Sequence, residues 1–240
     1  MKIKNTKDEE IGLLKVLVYG ESGAGKTSLA KTLGGKTLVI SAERGLLSVR
    51  GADLDYVDLS EDDEGKSITD PSKRLQRLRD VFQWLHAGQK YTNVFLDSIS
   101  EINQLVVASL HAEFPDRKDS MVLWGENSKR MMAIVKAFRD LPFNVYMTCL
   151  AEPDQDEQKR RFMGLALYGR IAREIPQYFD EVFYLWVDSE GVRSLVTRKT
   201  DTLLHPKDRS GKLAPQEPAD LGAISSKIII PTTKKEEIKK

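Results

Sequence analysis

Eight consecutive residues have the types and the spacing of a loop that binds phosphate groups. Gly20-Glu21-Ser22-Gly23-Ala24-Gly25-Lys26-Thr27 matches the pattern G-x-x-x-x-G-K-[ST] and directly follows an apolar run. Glycines let the backbone turn so that several N–H groups point at phosphate oxygens, and a helix beginning near Gly25 adds the positive end of its dipole. Lys26 can reach the β- and γ-phosphates, and Thr27 can offer its hydroxyl to Mg²⁺. The alternative is an ordinary glycine-rich turn between a strand and a helix.

The second half of a magnesium site should be an acidic residue at the end of another strand. Asp97 closes the apolar run Asn93–Asp97 and can hold the metal through a water molecule, as in the Walker B pattern. The alternative is that Asp97 only caps the helix that begins near Ser98. We therefore predict a site for ATP and Mg²⁺ in which Thr27 and Asp97 hold the metal. The predicted nucleotide-binding residues are Gly20, Glu21, Ser22, Gly23, Ala24, Gly25, Lys26, Thr27 and Ser28.

Hydrolysis also needs a water molecule oriented toward the γ-phosphate. Glu43 follows the next apolar run after the loop, and in a parallel sheet that strand would end at the same edge as the nucleotide. Glu43 is therefore the predicted general base, with Glu101 as its competitor. Thr148, at the end of a third run, is predicted to sense the γ-phosphate, although a buried Thr bonded to the backbone is the alternative.

The elements that must position these residues are short apolar runs alternating with amphipathic stretches. The early runs are apolar throughout, which is typical of a parallel sheet covered on both faces, so the sequence predicts a doubly wound α/β fold. Asp188-Ser189-Glu190-Gly191 predicts a hairpin, and hence antiparallel pairing at one edge. The predicted strands are Leu13–Tyr19, Thr37–Ser41, Tyr56–Leu59, Asn93–Asp97, Asn144–Leu150, Glu181–Val187 and Val192–Thr197. Helical spacing occurs within 75–85, 99–110 and 131–138.

Composition narrows the class of protein. With 240 residues and 40% hydrophobic residues, the chain can bury a sizeable core, and we predict a single domain over 11–231 between flexible charged ends, 1–10 and 232–240. Its 37 basic and 36 acidic residues argue against a bulk polyanion binder but allow a local basic groove. The single cysteine, Cys149, excludes an intramolecular disulfide framework and indicates a cytoplasmic setting. We find no signal-peptide pattern, no long apolar run for a membrane span and no zinc-ligand spacing.

The motifs resemble the RecA-like P-loop ATPase core. Proteins of that family place a glutamate as Ile40-Ser41-Ala42-Glu43 does here, and end the Walker B strand as Leu96-Asp97-Ser98 does. The chain also looks like the short phage-encoded RecA-like proteins of the Sak type, over about residues 15–210. The resemblance implies an ATPase, stimulated by DNA, that acts in single-strand annealing and recombination in the host cytoplasm. It also implies single-stranded DNA and a single-stranded-DNA-binding protein as partners, and assembly into a ring or filament.

A later stretch, His205-Pro206-Lys207-Asp208-Arg209-Ser210-Gly211, is similar to the Lys-x-Arg element of RecA-like ring and filament ATPases. In that family the element reaches the γ-phosphate bound by a neighbouring subunit. The resemblance therefore implies catalytic roles for Lys207 and Arg209, because two cations delivered there would neutralise charge in the transition state. A solvated basic turn is the alternative.

The resemblance also places DNA contacts in a loop at about 152–173. The basic residues of this segment are Lys159, Arg160, Arg161, Arg170 and Arg173. Phe162 and Tyr168 can stack on bases, whereas Trp84, Trp124 and Trp186 are expected in the core. The alternative is a helix over 165–175 whose arginines are simply exposed.

Other functions remain open from the sequence. A nucleotide-gated adaptor without significant turnover would use the same loop, and a small-molecule kinase would need a second-substrate pocket and an arginine-rich lid. A GTPase is disfavoured, because Arg198-Lys199-Thr200-Asp201 lacks the Asn of the guanine-specific Asn-Lys-x-Asp pattern.

Overall fold

The computed structural model describes residues 12–115, 120–156 and 158–229. The two ends for which flexibility was expected, 1–10 and 232–240, lie outside these residues, and the single domain over 11–231 stays a prediction. Among the described residues, no helix is long and apolar enough to cross a membrane.

One ten-stranded sheet organises the described part of the chain. Its path runs β10-β8-β7-β1-β5-β4-β2-β3, with β6 paired to β5 and β9 paired to β7. The six strands from β7 to β3 along this path are parallel, whereas β6, β8, β9 and β10 pair antiparallel. The strands are β1 (Lys15–Gly20), β2 (Thr37–Ser41), β3 (Asp55–Asp58), β4 (Asn93–Asp97), β5 (Asn144–Gln155), β6 (Arg161–Leu165), β7 (Glu181–Val187), β8 (Arg193–Val196), β9 (Lys207–Asp208) and β10 (Gln216–Pro218).

Helices cover both faces of the sheet, as the doubly wound prediction requires. On one face pack α1 (Pro71–His86), α2 (Ile99–Glu113) and α3 (Ser120–Arg139), which bury Leu85, Ile102 and Val135 against the strands. Asp70 caps α1 by accepting from the backbone N–H groups of residues 72 and 73. The other face is covered by a 3₁₀ helix, Thr27–Thr32, and by a helix near the end of the described chain, Leu221–Ile228. The helix Leu221–Ile228 is α5, and the four-residue helix α4 (Ile171–Glu174) precedes it in the chain.

The apolar runs form strands because their side chains are buried on both faces. The bounds predicted for β2, β4 and β7 are confirmed, and the hairpin joins β7 to β8. The short strands β6, β9 and β10 were not predicted. The helix expected from Gly25 is only six residues of 3₁₀ helix.

The segment 152–173 differs from both sequence-based expectations. Strand β5 continues five residues beyond the expected Leu150 and turns back through β6, with Gln155 opposite Arg161. Most of the segment is therefore a β-hairpin that extends past the carboxyl edge of the sheet, rather than a loop. The alternative helix over 165–175 is wrong as well, because helical structure begins only at Ile171 and passes at Ile175 into a 3₁₀ helix, Ile175–Tyr178.

At the amino edge, a buried network of asparagine side chains ties the central strands together. The Asn144 carboxamide accepts from the backbone N–H of Leu14 at 3.0 Å and donates to Asn93 at 3.1 Å. Asn93 in turn donates to the Gly34 carbonyl at 2.8 Å and to Thr37 at 3.0 Å. A shift of register in any of these strands would leave buried amide groups unpaired, so the network holds the opposite edge in alignment.

Candidate nucleotide-binding site

Parallel pairing gathers the chemically capable residues at the carboxyl edge of the sheet. Strand β5 lies between β1 and β4, with Tyr19 opposite Cys149 and Leu96 opposite Met147. Strand β2 lies on the far side of β4, with Ser41 opposite Asp97. The loop after β1, Glu43 after β2, Asp97 on β4 and Thr148 on β5 therefore meet at one edge, as the sequence predicted.

The loop between β1 and the first 3₁₀ helix has the backbone that its glycines allow. Gly23 has φ 77° and Gly25 has φ 98°, a region that other residues rarely adopt. The Lys26 ammonium group donates to the carbonyls of Gly20 and Glu21, both at 2.8 Å. Burial lowers the pKa of Lys26, while the carboxylates of Glu43 and Asp97 oppose that change. The Lys26 side chain thus folds back onto its own loop. Phosphate oxygens bound in that loop could replace the two carbonyls as its hydrogen-bond partners.

Asp97 is the centre of the site. It is 1% exposed, and each of its carboxylate oxygens accepts a hydroxyl hydrogen bond, one from Thr27 at 2.6 Å and the other from Thr148. The Asp97–Ser98 peptide bond is cis. Thr148 is bonded to this carboxylate rather than to the backbone, so its hydroxyl lies in the site, and its role as a sensor stays a prediction. Ser28, the last of the predicted nucleotide-binding residues, is the second residue of the 3₁₀ helix.

The donors at Asp97 fit a magnesium ion. Mg²⁺ prefers hard oxygen ligands and is usually held in proteins by one or two carboxylates, with phosphate oxygens and water completing its coordination. The Thr27 hydroxyl and the Asp97 carboxylate lie side by side and offer two oxygen ligands of this kind. The described residues contain no cluster of three or more His, Cys, Asp or Glu side chains that would hold a metal without a nucleotide.

Glu43 is brought to Asp97 by the backbone. The Ala42 N–H donates to the Asp97 carbonyl at 2.6 Å, which joins the ends of β2 and β4. The Glu43 carboxylate then accepts a hydrogen bond from the Ser98 hydroxyl, although much of the side chain remains open to solvent. Desolvation by the surrounding protein raises the pKa of Glu43; the Ser98 hydrogen bond opposes this shift and the Asp97 charge adds to it.

Glu101, the competing base, is occupied by a different partner. Its carboxylate lies 3.4 Å from the Arg74 guanidinium, which also donates to the Ala42 carbonyl. The Glu101 carboxylate thus faces Arg74, whereas Glu43 accepts from Ser98 beside Asp97, so the geometry favours Glu43. A cleft of about 540 Å³ opens beside these residues, and it is lined by Glu43, Arg44, Ser60, Ser67, Thr69, Arg74, Glu101 and Gln104, together with Ala42, Ile68 and Leu150.

Lys207 and Arg209 lie away from the loop of their own chain. Strand β9 pairs with the first residues of β7, with Asp208 opposite Glu181, and this is the amino edge of the sheet. There Arg209 forms an ion pair with Asp180 at 2.9 Å, and burial lowers the pKa of Lys207. The structure does not bring these two cations together with Lys26. A role at the site of a neighbouring subunit stays a prediction.

The basic residues assigned to DNA contact are divided between the tip and the base of the β5–β6 hairpin. Lys159, Arg160 and Arg161 are exposed at the tip, where Arg160 pairs with Asp156 at 2.7 Å. Arg170 and Arg173 follow the hairpin, also exposed, and Arg170 lies 3.4 Å from the Glu174 carboxylate.

Two expectations about aromatic residues are wrong. Phe162 is 6% exposed and packs against His205, so it cannot stack on a base without leaving the core. The three tryptophans expected in the core, Trp84, Trp124 and Trp186, are instead 41–48% exposed. Tyr168 is exposed as expected, and its ring lies 5.6 Å from that of Trp124.

Sequence reasoning missed one cation at the loop. The guanidinium group of Arg193, the first residue of β8, lies against Gly25. The two residues are far apart along the chain, and only the pairing of β8 with β7 and of β7 with β1 places them together. No local pattern could have indicated this contact.

The chain is similar to a known family of proteins. A family model described as "AAA domain" matches residues 13–210, which is more than half of the chain. A comparison with curated proteins finds no match. The matched region contains the glycine-rich loop, Glu43, Asp97 and Thr148, the residues that the fold gathers at one edge of the sheet. The chain belongs to the AAA domain family of P-loop ATPases.

Proposed function

We propose that this protein is a RecA-like ATPase of the phage-encoded Sak type, which acts on single-stranded DNA in annealing or recombination in the host cytoplasm. The observation that carries the proposal is the juxtaposition of the Glu43 carboxylate with the Asp97–Thr27 pair and the loop that holds Lys26. A protein that only bound nucleotide would have no need of a carboxylate at that place. The resemblance of the sequence motifs to RecA-like proteins supports the DNA-related part of the proposal.

Each residue of the site has a task that its surroundings suit. Lys26 exchanges its two carbonyl partners for phosphate oxygens, which compensates the loss of hydrogen bonds within the loop. Thr27 and Asp97 hold Mg²⁺, which neutralises charge on the phosphates when it is bound. Thr148 keeps the Asp97 carboxylate oriented through its hydroxyl hydrogen bond.

Glu43 accepts the proton of the attacking water molecule. A carboxylate in an ordinary environment is a weak base at neutral pH, and a raised pKa makes it a better proton acceptor. Both desolvation and the nearby Asp97 charge act in that direction. The hydrogen bond from Ser98 orients the carboxylate and limits the shift.

The β5–β6 hairpin supports the proposal of DNA binding. Within the described part of the chain, Lys159 and Arg161 at its tip form no ion pair, so their charges are available to a phosphate backbone. The exposed rings of Tyr168 and Trp124 lie beyond the base of the same hairpin and offer faces on which bases can stack. A single-stranded-DNA-binding protein remains a proposed partner on the resemblance alone.

The placement of Arg209 supports head-to-tail assembly. A cation at the amino edge cannot serve a nucleotide at the carboxyl edge of the same sheet, but a neighbour stacked on that edge can receive it. Repetition of such a heterologous contact builds a ring or a helical filament. Both partners of the Arg209–Asp180 ion pair are partly exposed, and such pairs contribute about 0–1 kcal/mol, so the arginine can leave it easily.

A small-molecule kinase is the second candidate, and the cleft beside Glu43 favours it. The cleft opens at the same edge as the loop, and Arg44 and Arg74 lie in its wall. Both guanidinium groups are already bonded to protein acceptors, Arg44 to Ser60 and Ser67, and Arg74 to Ala42 and Glu101. Release of inorganic phosphate from ATP without any added acceptor would favour the ATPase over the kinase.

We expect Lys26→Ala and Glu43→Gln to fail in different ways. Loss of the Lys26 charge should weaken ATP binding, whereas Glu43→Gln should bind ATP normally but release phosphate at least a hundredfold more slowly, because an amide cannot accept the proton. Calorimetric titration and a single-turnover phosphate assay separate the two effects, with Glu101→Gln as the matched control. Normal turnover by Glu43→Gln together with loss of turnover in Glu101→Gln would transfer the role of base to Glu101.

The pH dependence of turnover should respond to Ser98. The Ser98 hydroxyl stabilises the ionised form of Glu43, so its removal raises the pKa of that carboxylate further. Because the base works only when ionised, the acidic limb of the turnover profile should move to higher pH in Ser98→Ala. The control is Ser109→Ala, within α2, the helix that Ser98 caps, but away from the site. Superimposable acidic limbs for wild type and Ser98→Ala would contradict the assignment of Glu43.

Binding of single-stranded DNA should weaken with salt and depend on the hairpin tip. Each phosphate contact to a single strand contributes about 0.7 to the slope of log affinity against log salt concentration, so Lys159→Ala/Arg161→Ala should flatten that slope by about 1.4. Fluorescence anisotropy with a labelled oligothymidine measures it. Arg79→Ala/Lys90→Ala removes the same charge elsewhere on the exposed surface and should change neither the slope nor the affinity. If both double variants bind like wild type, the tip does not contact DNA.

Action of Arg209 across a subunit boundary can be tested by complementation. Arg209→Ala should lose turnover but keep ATP binding, and its mixture with Lys26→Ala should recover activity, because some interfaces then pair an intact loop with an intact arginine. Asp180→Asn breaks the same ion pair and keeps the arginine, so it should stay active. Equal loss in Arg209→Ala and Asp180→Asn, with no recovery in mixtures shown to co-assemble, would mean that Arg209 only stabilises the fold.

A further inference from the structure

The β7–β8 hairpin carries a cation to the nucleotide edge of the sheet. Because β7 is parallel to β1, it ends at the edge where the glycine-rich loop lies. A tight turn follows, in which the Asp188 carboxylate accepts from the backbone N–H groups of Glu190 at 2.9 Å and Val192 at 2.8 Å. Strand β8 then begins at Arg193, opposite Val187. The turn therefore determines where along the edge this arginine stands.

The strand register directs Arg193 toward the loop. Arg193 and Leu195 are two residues apart on β8, so their side chains lie on the same face of the strand. Leu195 packs in the cluster that contains Ala24 of the loop and Leu29 of the 3₁₀ helix. The guanidinium group reaches Gly25 itself. A Cβ atom placed on Gly25 would lie 2.6 Å from Cζ of Arg193 and 2.8 Å from its Nε. The arginine thus occupies the space that a side chain at position 25 would take.

The charge of Arg193 has no counterpart in the described chain. Its guanidinium group forms no hydrogen bond or ion pair with any residue that the structure describes, and the side chain is exposed. The Asp188 carboxylate of the same turn is engaged by backbone N–H groups instead. Lys26 follows Gly25 directly in the chain, so two cationic side chains surround this loop. Such a concentration of positive charge is favourable once an anion is bound.

We propose that Arg193 binds a phosphate group of the nucleotide held by the loop of its own chain. The proposal rests on the assignment of the loop as an ATP site. A guanidinium can make two parallel hydrogen bonds to phosphate oxygens, which a lysine cannot, so Arg193 is suited to hold the phosphate chain in one orientation. It acts within the subunit and is therefore distinct from the role proposed for Lys207 and Arg209. The substrate class is a nucleoside di- or triphosphate, recognised by its phosphates and not by its base.

Titration calorimetry with three variants tests this contact. Hydrogen bonds to charged groups correspond to affinity changes of about ten- to a hundredfold, so Arg193→Ala should weaken binding of ATP and of ADP by that factor. Arg193→Lys should lose less, because it keeps the charge. Arg198→Ala removes a nearby exposed arginine and should bind like wild type. Circular dichroism and the thermal midpoint establish whether each variant is folded. If Arg193→Ala does not fold, Arg193→Lys still tests the proposal.

Inorganic tripolyphosphate separates a phosphate contact from a contact to the nucleoside. Arg193→Ala should weaken tripolyphosphate by the same factor as ATP. A loss for ATP with unchanged tripolyphosphate binding would place Arg193 on the base or ribose and overturn the proposal, as would unchanged binding of all three ligands. Failure of wild type to bind ATP would instead overturn the assignment of the loop, whereas ATP binding that depends on Lys26 but not on Arg193 would overturn this inference alone.

Discussion

The site depends on one buried carboxylate. Asp97 lies at the end of a central strand, almost without exposure to water, and a charge in that place is tolerated only if hydrogen-bond donors surround it. Thr27 from the glycine-rich loop and Thr148 from β5 supply hydroxyl groups, and Ala42 binds the backbone carbonyl of the same residue. The hydrogen bonds to Asp97 therefore join four segments of the chain: the glycine-rich loop, the end of β2, β4 and β5. Those segments carry the residues that would bind phosphate, hold the metal and move the proton.

The amino and carboxyl edges of the sheet carry different kinds of polar groups. At the amino edge, the amide groups of Asn93 and Asn144 bond to each other and to the backbone, an arrangement that holds the strands in register. At the carboxyl edge, the donors and acceptors are hydroxyls, carboxylates and cations that can exchange partners. Parallel pairing causes this division, because it sends every strand end to one side. The antiparallel pairing of β9 with the first residues of β7 places Arg209 at the amino edge, away from the loop of its own chain.

The charged groups around the glycine-rich loop are compensated by other groups of the chain or by solvent. Lys26 is satisfied by carbonyls of its own loop, so its buried charge is not left without partners. Arg193 remains exposed, where water compensates its charge at little cost. Burial lowers the pKa of Lys26, and the Glu43 and Asp97 carboxylates oppose that change. Charges of both signs, each partly compensated, thus surround the space where an anion with its metal ion would bind.

The sequence by itself determined the local chemistry. The loop from Gly20 to Thr27, the acidic residues after two apolar runs and the hairpin at residues 188–191 were all recognisable, because each depends on neighbours within a few residues. The central strands were also recognisable, since a strand buried on both faces must be apolar throughout. The extension of β5 into the β5–β6 hairpin was not, because its residues are of mixed polarity and carry no alternation that marks a strand. Only the tertiary structure decided which distant groups meet. Arg193 at Gly25, Thr148 at Asp97 and Arg209 at the opposite edge all follow from strand order and register, which hydrogen bonds between strands far apart in the chain establish.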